Sequence, residues 1–525
     1  MGLLGGSRRL AAAATSLLSV LAGINAIAWI GVIVGIGAFA ASAFAVPANA
    51  AASPGRPAPG VPGSAVVAPA APVGHAGRWI TDATGRVLTV TGVNMVAKRA
   101  PYTPAGAGFG DADARFLAAN GFTAVRVGVL WQALEPRPGV FNDRYLASIA
   151  ATVRDLGSHG IVSLLDFHQD LYGQRFQGEG APAWAVDDDG LPAAPKSGFP
   201  GNYFAMPGLK AAYDNFWANA PVRGRGLQDW YAAAVAHVAA YFRGSPRVLG
   251  YDLYNEPDPG TSIGTCAKAC PGMDARLDAF YARVTAAVRR ADKSSLLFDE
   301  PWSSFDIGAP SGLDSPRDRD TGFSFHDYCA LDDLSTLLNV ACPPADDAVF
   351  ASAGTVSQRT GDALLLTEFG ATNDAGVLSG VVSGAERARV GWLQWSFCGC
   401  DDPTGSPRTE GLVNNAKAPP AGDNVNTGML DALAVPSPEL VAGTPESYGY
   451  DPGSRVFTLR YRTERADGTA PFPAGSVTSV SVPAVQYPHG YAVRATGARV
   501  VKHGRVLTLA SEPGATGVSV TVRPG

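Results

Sequence analysis

Leu253-Tyr254-Asn255-Glu256-Pro257 closes an apolar run that begins at Val248 and passes through Leu249-Gly250-Tyr251-Asp252. A strand ending in Asn-Glu-Pro carries a carboxylate at its tip, an amide beside it, and a proline that donates nothing further to a sheet ladder. Ala363-Leu364-Leu365-Leu366-Thr367-Glu368-Phe369-Gly370 repeats the plan: three leucines lead to Glu368, and the chain turns at glycine. Either motif alone reads equally as a solvated cap or a salt-bridge partner. Together, two carboxylates delivered by two strand ends suit the cleavage of a glycosidic bond, which needs a pair of them.

Working outward, eight strand-like runs can be counted, over 87–95, 123–131, 161–168, 248–256, 295–302, 322–328, 363–369 and 391–397. Helical periods separate several of them: Leu146, Ile149, Ala150, Val153 and Leu156 share one face, and 227–242 and 277–288 behave alike. Eight strand-like runs, several of them separated by helical periods, predict a (β/α)8 TIM barrel over residues 75–435. Glu256 then ends the fourth strand and Glu368 the seventh, at the C-terminal mouth where barrels of this kind keep their chemistry. Other polar residues reach the same rim: Asn94 and Lys98 after strand one, Arg126 in strand two, Asp166 and His168 in strand three, His326 and Tyr328 in strand six, Trp395 in strand eight. Polar groups inside apolar runs are costly unless paired, so a ring of them marks a shared site. Taken singly, Arg126 reads equally as a structural ion pair, His168 as a satisfied core histidine and Trp395 as barrel filling.

The connection over 171–227 is long for a barrel and carries Tyr172, Phe176, Trp184, Phe199, Tyr203, Phe204, Met206, Tyr213, Phe216 and Trp217. A loop of this length is a lid or a small subdomain, and its aromatics suit a wall for sugar rings or lipid as well as a core of their own. After Met429-Leu430-Asp431 the alternation stops. Short β-branched runs separated by turns, with Val518, Val520 and Val522 in strict alternation, predict a small C-terminal antiparallel β-sandwich over 436–525.

With 41 basic and 46 acidic residues the net charge is −5, which gives no electrostatic case for nucleic acid and favours a neutral or amphiphilic substrate. Residues 1–50 read as a signal peptide or an N-terminal membrane anchor. Arg8 and Arg9 precede an uncharged stretch, Ala48-Asn49-Ala50 offers the small residues of a cleavage site, and the apolar part is long enough to span a bilayer. Both readings put the rest of the chain outside the cell. Residues 51–74, rich in Ala and Pro, read as a linker. Six cysteines, Cys266, Cys270, Cys329, Cys342, Cys398 and Cys400, fit an exported chain with up to three disulfides. Fifteen pairings are open, local closure favouring Cys266 with Cys270 and Cys329 with Cys342. No Cys-x-x-Cys and no clustered histidines accompany them, so neither metal nor cofactor is expected.

Arg126 within Val125-Arg126-Val127, His168, Asn255-Glu256-Pro257, His326 with Tyr328, Glu368 and Trp395 together resemble the pattern of glycoside hydrolase family 5, a retaining family. Within it, Leu164-Leu165-Asp166-Phe167-His168-Gln169-Asp170, Ser324-Phe325-His326-Asp327-Tyr328-Cys329 and the β-sandwich resemble the endoglycoceramidases of actinobacteria and their galactosylceramide-directed relatives. The resemblance implies Glu256 as acid/base and Glu368 as nucleophile, with His326 and Tyr328 orienting Glu368 and Asn255 holding a sugar 2-hydroxyl. It also implies substrate contacts from Lys98, Arg126, Asp166, His168 and Trp395. The expected substrate is a glycosphingolipid, cut between glycan and ceramide by a monomer working at a membrane or micelle surface. The insertion and the sandwich edge are expected to form the apolar groove. A cellulase, mannanase or steryl glucosidase of the same family, and a non-catalytic carbohydrate-binding surface protein, are the alternatives; possession of both carboxylates argues against the last.

Overall fold

A computed structural model describes residues 68–266, 270–314, 318–329, 342–404 and 411–525. Residues 1–50, expected to be a signal peptide or membrane anchor, and most of the expected linker 51–74 lie outside the described residues. Among those described, no helix is long and apolar enough to cross a membrane.

Eight parallel strands close a barrel: β1 Thr91–Met95, β2 Ala124–Val129, β3 Val162–Phe167, β4 Val248–Asp252, β5 Leu296–Asp299, β6 Thr321–Asp327, β7 Ala363–Phe369 and β8 Gly391–Gln394. Side chains alternate along each strand. Ala124, Val162, Leu164, Leu296, Phe298, Leu365 and Leu393 fill the bottom of the lumen. Val125, Val127, Leu165, Leu297, Phe323, Phe325, Leu364 and Leu366 instead join the layer packed against the helices. The same alternation carries Asn94, Arg126, Asp166, Ser324 and His326 inward above the apolar floor.

Glu368 breaks this rule. Its parity matches Leu364 and Leu366, which face the helices, yet β7 contains a bulge: Phe325 pairs with Leu366 and the next residue, His326, pairs with Glu368. Thr367 is the extra residue, and a bulge shifts the phase of everything beyond it. Asn94 Nδ2 donates to the Thr367 carbonyl oxygen at 2.8 Å and holds the kink in place.

Several strands are shorter than the sequence implies. The run 87–95 splits: Val87–Leu88 pairs antiparallel with Ser437–Val441, and only Thr91–Met95 enters the barrel. Together with Gly74–Ala76 and Trp79–Thr81 it extends one sheet of the C-terminal sandwich to seven strands, against a second sheet of four. The sandwich is thus built from both ends of the described chain. β4 stops at Asp252, so Asn255 and Glu256 stand on a turn beyond it, Glu256 in the left-handed region at φ 43°.

The sandwich has its own core around Phe457, Leu459, Tyr461, Val480, Leu507, Leu509, Val518, Val520 and Val522. It meets the barrel where the chain enters strands or leaves helices: Ser481 Oγ donates to the Gly121 carbonyl, Tyr450 N to Glu386, Arg389 Nη1 to the Glu446 carbonyl, and Gln486 Nε2 to the Asp431 carbonyl. These positions lie at the N-terminal end of the barrel. The expectation of a sandwich edge beside the carboxylates is therefore corrected: the sandwich braces the opposite end, because the alternating pattern fixes its strands but not where they dock.

In the 171–227 insertion, helices Gly201–Ala205 and Pro207–Trp217 turn most of the aromatics inward. Tyr172, Phe176, Met206, Tyr213, Phe216 and Trp217 are buried against Tyr231, Tyr254, Phe280 and Trp302. Leu191, Phe199 and Phe204 remain exposed at 41%, 42% and 47%. The disulfides are Cys266–Cys270, Cys329–Cys342 and Cys398–Cys400.

Candidate active site

Arg126 is the hub of the lumen and is fully buried. Its Nε donates to Asp252 at 2.9 Å, Nη1 to Asn94 at 3.2 Å and to Glu368 Oε1, and Nη2 to Asn255 at 2.9 Å and Glu300 at 3.0 Å. Asp166 Oδ1 also lies 3.0 Å from Nη2. All five guanidinium N–H groups have acceptors, a saturation that fixes every carboxylate around the ring. Burial works against this cation, but Asp166, Asp252 and Glu368 outweigh it and keep it charged.

Glu368 projects inward beyond the bulge. Arg126 holds Oε1, and the Tyr328 hydroxyl donates to Oε2 at 2.9 Å. Glu256 stands opposite, with an oxygen within 4.8 Å of one on Glu368. Burial raises the Glu256 carboxyl above the ordinary range, with the His326 hydrogen bond opposing. A carboxyl raised by burial, beside a carboxylate held by Arg126 and Tyr328, is suited to act as the acid facing a nucleophile.

His326 departs from the expectation that it orients Glu368. Its Nδ1 is 2.9 Å from Glu256 Oε1 and 3.7 Å from Glu368 Oε2, while Nε2 lies 3.2 Å from Glu300. Its nearer partner is the acid, because the Glu256 turn folds back over β6. Asn255, expected to hold a sugar hydroxyl, spends Oδ1 on Arg126 and directs Nδ2 to the Gln169 carbonyl at 3.1 Å, leaving one amide hydrogen for a ligand.

The second polar group surrounds Lys98. Its Nζ lies 2.5 Å from Asp170, 3.0 Å from Asp402, 3.0 Å from Thr404 and 3.9 Å from Glu179, and 4.4 Å from the centre of the Trp395 ring. Burial opposes the charge, but Asp170 and Asp402 raise the ammonium well above its usual range. His168 stacks on Trp395 at 5.4 Å and pairs through Nδ1 with Asp166 at 2.7 Å. Despite burial, Asp166 pushes the imidazole up to about 10. The structure thus brings all ten expected residues to the mouth, in two groups joined through Asp166, His168 and Trp395.

Among the described residues, two triads could geometrically hold a cation, His168 with Asp170 and Glu179, and Glu256 with His326 and Glu368. In the first, Lys98 already supplies the positive charge to the carboxylates; in the second, Arg126 and His326 do.

Sequence reasoning missed Asp170, Glu179, Asp252, Glu300 and Asp402. Glu300 carried a readable signal: Asp299-Glu300-Pro301 ends β5 as Asn255-Glu256-Pro257 follows β4. Asp170, Glu179 and Asp402 sit on loops, where no periodicity marks them.

The model of a cellulase domain, glycosyl hydrolase family 5, matches residues 81–401, and that of the glycoside hydrolase family 5 C-terminal domain matches 436–523. The chain is 30% identical over 465 residues to endoglycoceramidase I of Rhodococcus hoagii (strain 103S), covering 86% of this chain and 88% of that protein. Endo-glycoceramidase II from Rhodococcus sp. is similar in structure, with a TM-score of 0.71 at 30% identity over 85% of this chain and 99% of that one. The same relative's ganglioside GM3 complex gives 0.70 at 27% identity, again over 85% and 99%. With family models across both domains and the paired carboxylates of a glycosidase at the barrel mouth, the chain belongs to glycoside hydrolase family 5.

Proposed function

We propose that the protein is a retaining endoglycoceramidase, cutting the bond between the glycan and the ceramide of a glycosphingolipid. The observation that carries the mechanism is the approach of Glu256 and Glu368 to within 4.8 Å. Retaining pairs stand about 5–5.5 Å apart, while inverting pairs leave about 6.5–9.5 Å for a water.

Glu368, held by Arg126 and Tyr328, attacks the anomeric carbon while Glu256 protonates the leaving oxygen of ceramide. Water then enters, Glu256 takes its proton, and the glycan leaves Glu368 with its original anomeric configuration. Arg126 and Tyr328 keep the carboxylate anchored, so little reorganisation is needed as its charge passes into the covalent bond.

An amphiphilic substrate is supported on both sides of this pair. Beside Lys98 lies a cavity of about 360 Å³ lined by Arg99, Tyr102, Gln174, Gln177 and Pro403, polar enough for sugars. The exposed apolar side chains Leu191, Phe199 and Phe204 on the insertion, and Ile307 after β5, belong to connections that leave the C-terminal ends of strands. They offer a place for acyl chains at a membrane or micelle surface, where the protein works as a monomer. Three disulfides favour action outside the cell, by secretion or from an N-terminal anchor.

Thin-layer chromatography of a glycolipid panel tests the reading. Free glycan plus ceramide is the expected outcome. Cleavage of cellulose, mannan or steryl glucosides with glycolipids untouched refutes the substrate and leaves the family chemistry standing.

A further inference from the structure

Glu300, at the tip of β5, is buried and belongs to neither carboxylate pair member, yet both of its oxygens are aimed at the catalytic machinery. Oε2 accepts the backbone N–H of Glu256 at 2.7 Å, in the residue whose φ of 43° needs support. Oε1 accepts from Arg126 Nη2 at 3.0 Å and lies 3.2 Å from His326 Nε2. The backbone of Glu300 is clamped as well, by the Tyr281 hydroxyl, which donates to its carbonyl at 2.8 Å and accepts from its N–H at 3.0 Å.

We propose that Glu300 is a positioning residue that locks His326 as an imidazolium between the two carboxylates and pins the Glu256 turn, so that it sets the strength of the acid without touching substrate. This rests on the retaining mechanism above. His326 faces Glu256 from the turn after β4, Glu300 at the end of β5 and Glu368 from β7, and its ring is edge-on to that of Tyr328. Asp306, on the turn after β5, also faces this group; burial raises its carboxyl well above the usual range although His326 opposes this. Arg126 is the other cation against Glu300.

With Nδ1 2.9 Å from Glu256 Oε1 and Nε2 3.2 Å from Glu300 Oε1, the ring has a carboxyl oxygen beside each nitrogen, an arrangement that favours the doubly protonated imidazole. Burial opposes that charge, but Glu300 and Glu368 hold the ring well above its usual range. Glu300 is in turn drawn down to about 2: burial resists, and His326 and Arg126 prevail. Removing the Glu300 charge lets His326 lose a proton more easily. Glu256, touched by the imidazolium at 2.9 Å, then loses the cation that favours its ionised form, and its carboxyl rises. Loss of the Glu300 anion acts on Glu256 in the opposite sense. The route through His326 wins because the ring touches the Glu256 carboxyl, whereas Glu300 reaches only its backbone N–H.

The experiment uses the full chain and Glu300→Gln, with Glu300→Asp as the variant that keeps the charge. Nitrogen NMR of the labelled imidazoles, with the His326 signal assigned by its loss in His326→Asn, follows protonation without any substrate. In the wild type His326 is expected to stay doubly protonated through neutral pH. In Glu300→Gln its titration should fall by about one pH unit or more, and Glu300→Asp should largely restore it. In kinetics, the basic limb of kcat/KM should move to higher pH in Glu300→Gln. A glycolipid should lose about tenfold or more in rate, and an aryl glycoside with a good leaving group less. A neutral His326 in the wild type at neutral pH, or an unmoved basic limb with equal losses on both substrates, overturns the proposal. If Glu300→Gln fails to fold, the wild-type titration still decides it. Should glycolipids prove not to be substrates, the NMR result stands apart from that failure.

Discussion

The hydroxyl of Tyr328 donates to Glu368 Oε2 at 2.9 Å, while Arg126 holds the other oxygen of the same carboxylate. One donor comes from the end of β6 and the other from the middle of β2, so the nucleophile is fixed from two sides of the barrel. A hydrogen bond to a charged group contributes about 1.5–3 kcal/mol, equivalent to roughly ten- to hundredfold in rate when it acts in the transition state. Tyr328→Phe should lower kcat by that factor with an unchanged melting temperature, because Tyr328 is only half-buried. Steady-state kinetics beside thermal melting separates the two.

Lys98 bears on stability more than its single charge implies. Asp170 at 2.5 Å and Asp402 at 3.0 Å depend on it, and both side chains are only 5% exposed. Removing one partner of a buried ionic cluster leaves uncompensated charge and costs about 3–5 kcal/mol. Lys98→Ala is expected to lower the urea midpoint accordingly, and to abolish turnover with it, since Trp395 and His168 pack on the same group. Lys98→Ala with unchanged stability would show that water or protonation of Glu179 compensates.

How much of this was legible in the sequence depends on distance along the chain. The eight barrel runs could be counted because each strand writes its own apolar stretch, and Glu256 was found from the Asn-Glu-Pro that follows one. The inward aim of Glu368 could not be read, because strict alternation assigns it to the helix side with Leu364 and Leu366; the bulge at Thr367 that reverses it depends on Asn94, far away in β1. The split of 87–95 was hidden for a related reason. Val87 and Leu88 pair with Val441 and Leu440, and no local signal announces a partner so far along the chain. Glu300 was legible in Asp299-Glu300-Pro301, but it is not separable from an ordinary strand cap until His326 is seen against it.

Glu439 gives a pH-dependent prediction remote from the site. It lies in the Ser437–Val441 strand, buried, and burial raises its carboxyl from 4.5 to about 7, with the Ser479 hydrogen bond opposing. Below the unfolded value both states hold the proton and stability is unaffected. As pH rises toward the folded value the unfolded chain ionises first, so stability falls across that window and stays lower by as much as about 3 kcal/mol above it. Glu439→Gln should match the wild type in acid and melt at a higher temperature in mild alkali. Glu386 and Asp258, also raised to about 7 chiefly by burial, contribute in the same direction, so the variant flattens only part of the slope.

The Cys329–Cys342 bridge closes a separation of 13 residues directly after Tyr328. Loop-closure entropy for a ring of this size is about 3 kcal/mol. Replacing both cysteines by alanine should cost about that much in denaturant unfolding, whereas a chelator should leave turnover unchanged, because Lys98, Arg126 and His326 already balance the carboxylates that could bind an ion. Turnover lost on chelation and restored by a divalent cation would contradict this.

The division of labour between the two carboxylates can be tested by asking which step each loss stops. Glu256 is needed most when the leaving group is poor, as the alkoxide of ceramide is, since only a proton makes it depart. A dinitrophenolate leaves without help. Glu256→Ala should therefore lose roughly 10²–10⁴-fold on a glycolipid and far less in the first step on a dinitrophenyl glycoside. With that activated substrate the intermediate on Glu368 accumulates, because water now lacks its base. Azide, which needs none, should speed its breakdown and yield a glycosyl azide of the same anomeric configuration as the substrate. Glu368→Ala should be inactive on both substrates and form no intermediate. An azide product of inverted configuration from Glu256→Ala would mean that no covalent step had occurred, and the approach of the two carboxylates to within 4.8 Å would then need another explanation.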